Sequence, residues 1–174
     1  MSRKLIITEP NKILRQISEP VQGVGNEEQK LMDDMLETMY HANGIGLAAI
    51  QIGVPKRIIV IDISKNEEKK VPLYFVNPVI KNQNEEYSTY EEGCLSVPNY
   101  FAEINRPKKC EVEYLDYNGQ QKMIIAEGLL ATCIQHEMDH LEGILFIDYL
   151  SKLKKMMIIK KLSKQKNKVN RIIA

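Results

Sequence analysis

Five residues of this chain have the types and spacing for chemistry: His136-Glu137-Met138-Asp139-His140. Two histidines four apart share one face of an α-helix, one turn from each other. Two imidazoles so placed can reach one divalent metal ion together. Glu137 sits about 100° further round the helix than His136. That is poor placement for a third ligand but good placement for touching a metal-bound water. The HExxH spacing therefore supplies two ligands and a general base from one helical turn. The competing reading is a pair of surface histidines on an amphipathic helix. The flanks argue against it. Leu129, Leu130 and Ile134 upstream, and Leu141, Ile144, Leu145 and Phe146 downstream, make a mostly apolar helix that should be buried. A charged glutamate buried there needs something to hold it.

A catalytic metal site needs three protein ligands and one open position. Downstream of His140, Glu142 falls on the wrong face of the helix and Asp148 lies past its end. Two thiols are the other candidates. Cys94 lies in Glu91-Glu92-Gly93-Cys94-Leu95-Ser96-Val97-Pro98, a setting that can aim a thiolate at a metal. Cys133 lies three residues before His136, and three ligands from successive turns of one helix would strain tetrahedral geometry. Spacing favours Cys94 as ligand and Cys133 as pocket wall. A further block, Gly44-Ile45-Gly46-Leu47-Ala48-Ala49-Ile50-Gln51, is apolar but for Gln51. The Gln51 amide is either satisfied structurally or free to donate to a developing oxyanion.

The elements that must hold these residues are read from periodicity and punctuation. The HExxH helix should run from Glu127 to Glu142, with Gly143 as its stop. A first helix is expected from Glu27 to Ala42, capped by Asn26 and ended by Asn43-Gly44. Arg57 to Ile63 reads as a β-branched strand, and Asn66 to Lys70 as a charged loop. Leu73 to Ile80 reads as a second strand, with Pro78 marking an edge or bulge. Cys110 to Tyr117 and Gln120 to Glu127 flank Asn118-Gly119, a hairpin signal. Strands and helices do not alternate regularly. The expected fold is α+β, mostly antiparallel strands packed around a central HExxH helix, with a C-terminal helix.

The 174 residues suit one domain with a proper core: a catalytic domain over 1–150, with 151–174 as a basic helix of the same domain. No apolar run approaches the ~18 residues of a membrane span. The N-terminal apolar stretch is too short for a signal peptide. Cys94, Cys110 and Cys133 are an odd number, better read as free thiols in a reducing compartment. A cytoplasmic protein is expected. The net charge of +1 hides an asymmetry. From Ser151 to Ala174 there are nine basic residues and no acidic one, while the remainder holds 15 basic and 23 acidic. Such a tail suits a polyanionic partner such as RNA or a ribosome. It also suits a solvated helix that docks one face on the body through Leu153, Met156, Met157, Ile159 or Lys160, and Leu162. The two readings are compatible.

Together the three blocks resemble the peptide deformylase family, whose motifs GxGLAAxQ, EGCLS and QHExDHLxG occur in that order. Here they stand as Gly44 to Gln51, Glu92 to Ser96, and Gln135-His136-Glu137-Met138-Asp139-His140-Leu141-Glu142-Gly143. The resemblance covers nearly the whole chain, and the short EGCLS region looks like the bacterial type I form. It implies an enzyme that removes the N-formyl group from the N-terminal formylmethionine of newly made polypeptides. It implies Cys94, His136 and His140 as ligands of Fe2+, with Ni2+, Co2+ or Zn2+ as substitutes. Metal-bound hydroxide would attack the formyl carbon, with Glu137 as general base and then acid. The Gln51 amide and the Leu95 backbone N–H would hold the oxyanion. Ile45, Gly46, Tyr90, Glu92, Gly93, Leu129, Thr132 and Cys133 would bind the substrate. No membrane or DNA partner is implied. Two positions depart from the family: Phe101, where several relatives have arginine, and Thr132, where isoleucine is common. Two other readings compete: an HExxH protease, which lacks a convincing downstream ligand, and a non-catalytic RNA-binding relative, which should have lost Glu137, Cys94 or Gln51.

Overall fold

The computed structural model describes residues 2–64 and 69–173, with side chains up to residue 165. Most of the expected 66–70 loop lies outside the described residues. Three helices, α1 (Asn26–His41), α2 (Gly128–Leu141) and α3 (Lys152–Ile173), join seven strands: β1 (Gly46–Ala48), β2 (Ile58–Ile61), β3 (Leu73–Gln83), β4 (Tyr87–Cys94), β5 (Val97–Pro107), β6 (Lys109–Leu115) and β7 (Gln121–Glu127). Five strands form one antiparallel sheet in the order β1-β2-β3-β6-β7, and β4 and β5 form a separate hairpin. The fold is α+β, with the HExxH helix at its centre.

β2 explains how the layers are built. Its four residues are all fully buried because both faces of the sheet are covered. Ile58 and Val60 pack with Met32, Met35 and Met39 of α1. Ile59 and Ile61 pack with Ala131, Ile134 and Leu141 of α2. A strand covered twice reads as a continuous apolar run, as Ile58 to Ile61 does within the expected strand. A third cluster joins Val97 and Ile104 of β5 to Leu145, Phe146 and Ile147 and to Leu162 of α3. Thus α2 lies between the sheet and the β4–β5 hairpin.

Local chemistry moved several boundaries. The N-cap of α1 is Gly25 rather than Asn26, and the Glu28 carboxylate accepts from the Gly25 N–H at 3.1 Å. Pro78 falls at a register shift in β3, so an inner strand tolerates it. The β6–β7 connection is longer than a two-residue hairpin. Asp116 accepts from the backbone of Asn118 and Gln120 and stabilises a wider loop. Gly143 ends α2 with φ 71°, and a Cβ there would meet the Arg15 carbonyl oxygen at 2.6 Å. The C-terminal helix docks through Ile158, Ile159 and Leu162. Leu153, Met156 and Met157 of the expected stripe are exposed instead. No helix among the described residues is long and apolar enough to cross a membrane.

Candidate metal and catalytic site

A cleft of about 520 Å³ opens between α2, the β4–β5 hairpin and the segment before β1. Every site residue named from the sequence lines it except His140, which is fully buried behind it. On α2 the stripe Leu129, Thr132, Cys133 and His136 faces the cleft at i, i+3, i+4 and i+7 spacing. Glu137 joins it from the next position.

The Cys94 thiol, brought in by the tight turn at Leu95-Ser96 between β4 and β5, stands 3.2 Å from His140 Nε2. One ligand atom each of Cys94, His136 and His140 lies within 4.8 Å of the others. Cys133 instead turns its thiol toward the Ile45 carbonyl at 3.8 Å. Desolvation, with the Glu137 and Glu92 charges nearby, keeps that thiol protonated, its pKa raised well above the ordinary value. A thiolate and two imidazoles make a soft, nitrogen-rich set suited to a late first-row divalent ion. A buried, unpartnered oxygen beside them, Glu137 Oε2, is what such a centre would leave for its water. The residues therefore fit a catalytic metal.

Electrostatics set the two imidazoles apart. Burial opposes a charge on His136, yet contacts with Cys94 and Glu92 carry its pKa well above normal. Its Nδ1 meets Glu92 Oε2 at 2.8 Å, which leaves Nε2 for a ligand role. Burial and the neighbouring His136 and Arg106 charges hold His140 neutral, with its pKa well below normal. Burial pushes the Glu137 carboxyl up to about 7. Gly46 makes room for that carboxylate, since a Cβ there would meet Glu137 Oε1 at 2.4 Å.

Gln51 is held at both ends of its amide. Its Oε1 accepts from the Ala48 N–H at 2.7 Å, and its Nε2 donates to Ser96 Oγ at 3.1 Å, with Cys94 Sγ at 3.6 Å. The amide therefore presents its NH₂ toward the thiol.

Behind His136 lies a network that sequence reasoning missed. Arg106 forks onto both oxygens of Glu92, at 2.6 and 3.0 Å, and reaches Asp139 at 2.8 Å. Tyr149 donates to the same Asp139 oxygen at 2.9 Å. Although burial opposes both charges, pairing keeps Glu92 ionised, with its pKa lowered, and raises that of Arg106. Both Glu92 oxygens are thus engaged in holding Arg106 and His136. Arg106 carries no local signal, because its partners Glu92 and Asp139 lie 14 and 33 residues away in the chain. Ser96 sits inside the EGCLS motif, and its link to Gln51 needs the tertiary turn.

Comparison with known proteins places this geometry. The family model for polypeptide deformylase matches residues 3–156. A peptide deformylase of Pelagibacter ubique is 76% identical over 173 residues, 99% of each chain. The crystal structure of a peptide deformylase from Ehrlichia chaffeensis is similar with a TM-score of 0.90 at 44% identity, covering 96% of this chain and 98% of that one. A Met-Ala-Ser-bound class I type b peptide deformylase from Acinetobacter baumannii has a TM-score of 0.81 at 33% identity, over 86% of this chain and 100% of that one.

Proposed function

The chain belongs to the polypeptide deformylase family, and from that premise we propose which of its residues remove the N-formyl group from nascent polypeptides, and how. It is a metal-dependent hydrolase. One observation carries the assignment of roles: a Cys94–His136–His140 ligand cluster with the unpartnered Glu137 carboxyl beside it, on the wall of one cleft.

Cys94, His136 and His140 hold a divalent ion, which we take to be Fe2+, with Ni2+, Co2+ and Zn2+ as substitutes. When bound, the ion supplies Lewis acidity toward water and the formyl oxygen. Glu137 takes a proton from the attacking water and delivers it to the amine nitrogen as the C–N bond breaks. Formate and a free methionine amine leave. Gln51 Nε2 and the Leu95 backbone N–H donate to the formyl oxygen as negative charge gathers there. The position of the Gln51 amide supports this, because Ala48 and Ser96 hold it with its second N–H directed at the Cys94 thiol, beside the candidate metal site. Leu129, Thr132, Cys133 and the His136 ring wall the methionine side chain, with Tyr90 at the hairpin side. Ile45, Gly46 and Gly93 offer backbone to the peptide. The relative bound to Met-Ala-Ser is consistent with such a cleft. We assign Glu92 chiefly to holding His136.

Residues 1–150 form the catalytic domain, and we count 151–174 as part of it, supported by Leu162 in a shared core cluster and by Lys155 reaching Asp148. The nine basic residues of 151–174 suit a ribosomal surface. Binding of that kind should weaken steeply as salt rises. Reduced Cys94 and nascent substrates both suit the cytoplasm.

The test is formate release from a formyl-Met peptide by iron or nickel protein prepared anaerobically, beside Glu137→Ala. Wild-type turnover is expected, with a loss of roughly 10²- to 10⁴-fold in the variant at undiminished metal content. A variant that keeps both metal and substantial activity would refute the role of Glu137.

A further inference from the structure

The cleft wall holds one donor whose partner is missing. Thr132 is 4% exposed and lines the cleft, and its Oγ1 is buried with no hydrogen-bond partner. A hydroxyl inside a helix ordinarily bonds back to the carbonyl one turn earlier. Two others in this chain do so: Thr38 donates to the Asp34 carbonyl at 2.6 Å, and Ser163 to the Ile159 carbonyl at 2.8 Å. Thr132 does not. Its neighbours on the stripe are committed elsewhere or have nothing to offer. Cys133 leans on the Ile45 carbonyl, His136 Nδ1 is engaged by Glu92, and Leu129 is hydrocarbon.

A buried hydroxyl without a partner is unfavourable, and the deficit is recovered when an acceptor arrives. The reading of this cleft as the methionine pocket, on which this inference rests, supplies the acceptor. A thioether accepts only weakly. Its oxidised form, the sulfoxide, is polar and accepts strongly. A wholly alkyl wall would reject a sulfoxide, because its oxygen would lose water and gain nothing. We propose that Thr132 determines specificity in this pocket, its hydroxyl donating to the bound side chain, so that the enzyme deformylates chains that begin with oxidised formylmethionine as well as the thioether form. Norleucine, which has no acceptor, gains nothing from the hydroxyl.

The experiment uses three formyl peptides that differ only in the first residue: methionine, methionine sulfoxide or norleucine. The kcat/KM of each is measured for the metal-loaded wild type, Thr132→Val, Thr132→Ala and Thr132→Ser. The readout is the sulfoxide-to-norleucine ratio within each enzyme, which cancels differences in folding and metal loading. The ratio should fall about tenfold in Thr132→Val and Thr132→Ala, the scale of one recovered hydrogen bond, and return in Thr132→Ser. An unchanged ratio in whichever of the Val and Ala variants folds, with normal turnover of the methionine peptide by wild type, would overturn this inference alone. Failure of the wild type to turn over any of the three peptides would overturn the deformylase roles and this inference together.

Discussion

Two charged clusters in this protein pair acids with arginine, at different depths. Behind the candidate metal site, Arg106 and Glu92 are each only 4% exposed in their side chains, and Asp139 is 18% exposed. At the root of α3, Arg15 meets Glu9 and Asp148, and Asp148 also meets Lys155; these acids are as buried as the others, at 5% and 20% exposure, but the cations are not, with Arg15 at 30% and Lys155 at 37%. The chemistry is alike, but the consequences differ. In the deep cluster water cannot replace a lost partner, so the network is all-or-none and fixes the His136 ring through Glu92. In the shallow cluster water stands by, and the network fastens a helix without dictating a ring orientation to ångström accuracy.

The largest effect is expected where burial is deepest. Arg106→Ala strands the Glu92 charge and should lower stability by about 3–5 kcal/mol, read by denaturant unfolding. With Glu92 free to move, metal affinity should also drop by roughly 10- to 100-fold, read by competition with a chelator. A loss of stability with affinity intact would break the link between this network and His136. Replacing Arg106 and Glu92 together by apolar residues of similar volume should restore much of the stability. It should not restore the affinity, and that split would separate packing from positioning.

Asp148→Asn comes next. It removes the charge that Arg15 and Lys155 share and should lower stability by ~1–3 kcal/mol. Formate release per metal-loaded enzyme should be little changed. An effect as large as that of Arg106→Ala would erase the contrast. The same residue gives a pH test. Burial opposes the Asp148 charge, but the Leu145 N–H, Lys155 and Arg15 hold its carboxyl below the ordinary 3.8. A depressed carboxylate contributes its stability above the unfolded pKa and loses it as pH falls through the folded one. The gap in unfolding midpoint between wild type and Asp148→Asn should therefore be full at pH 7 and close below about pH 4. A gap that persists in acid would mean that Asp148 acts by shape rather than charge. Smallest of all, Lys155→Ala should cost under about 1 kcal/mol, because its partner keeps Arg15.

Much of this protein was legible in local pattern. The HExxH helix, the apolar β2 run, the first helix and the bulge at Pro78 all follow from periodicities of a few residues, which backbone geometry imposes on any sequence. The β4–β5 hairpin was not legible, although it carries Cys94. The less exposed positions of Tyr87 to Cys94 are Ser88, Tyr90, Glu92 and Cys94, mostly polar residues, so the strand shows no apolar alternation. The docking face of α3 was misjudged for a related reason. Helical spacing defines several possible stripes, and only the position of Phe146 and Ile147 selects Ile158, Ile159 and Leu162.

By itself, the sequence determined that His136 and His140 share one helix face with Glu137 beside them, and it carried the ordered motifs that mark the family. These depend on residues near in the chain, where spacing and direction are fixed by the helix. Spacing already favoured the Cys94 thiol over that of Cys133, but tertiary structure alone decided that the thiol stands 3.2 Å from His140. It alone decided that Arg106 holds Glu92 against His136, and that Thr132 is left without a partner. Those contacts join residues dozens of positions apart, and no local periodicity encodes which of many possible partners a long-range packing will bring together.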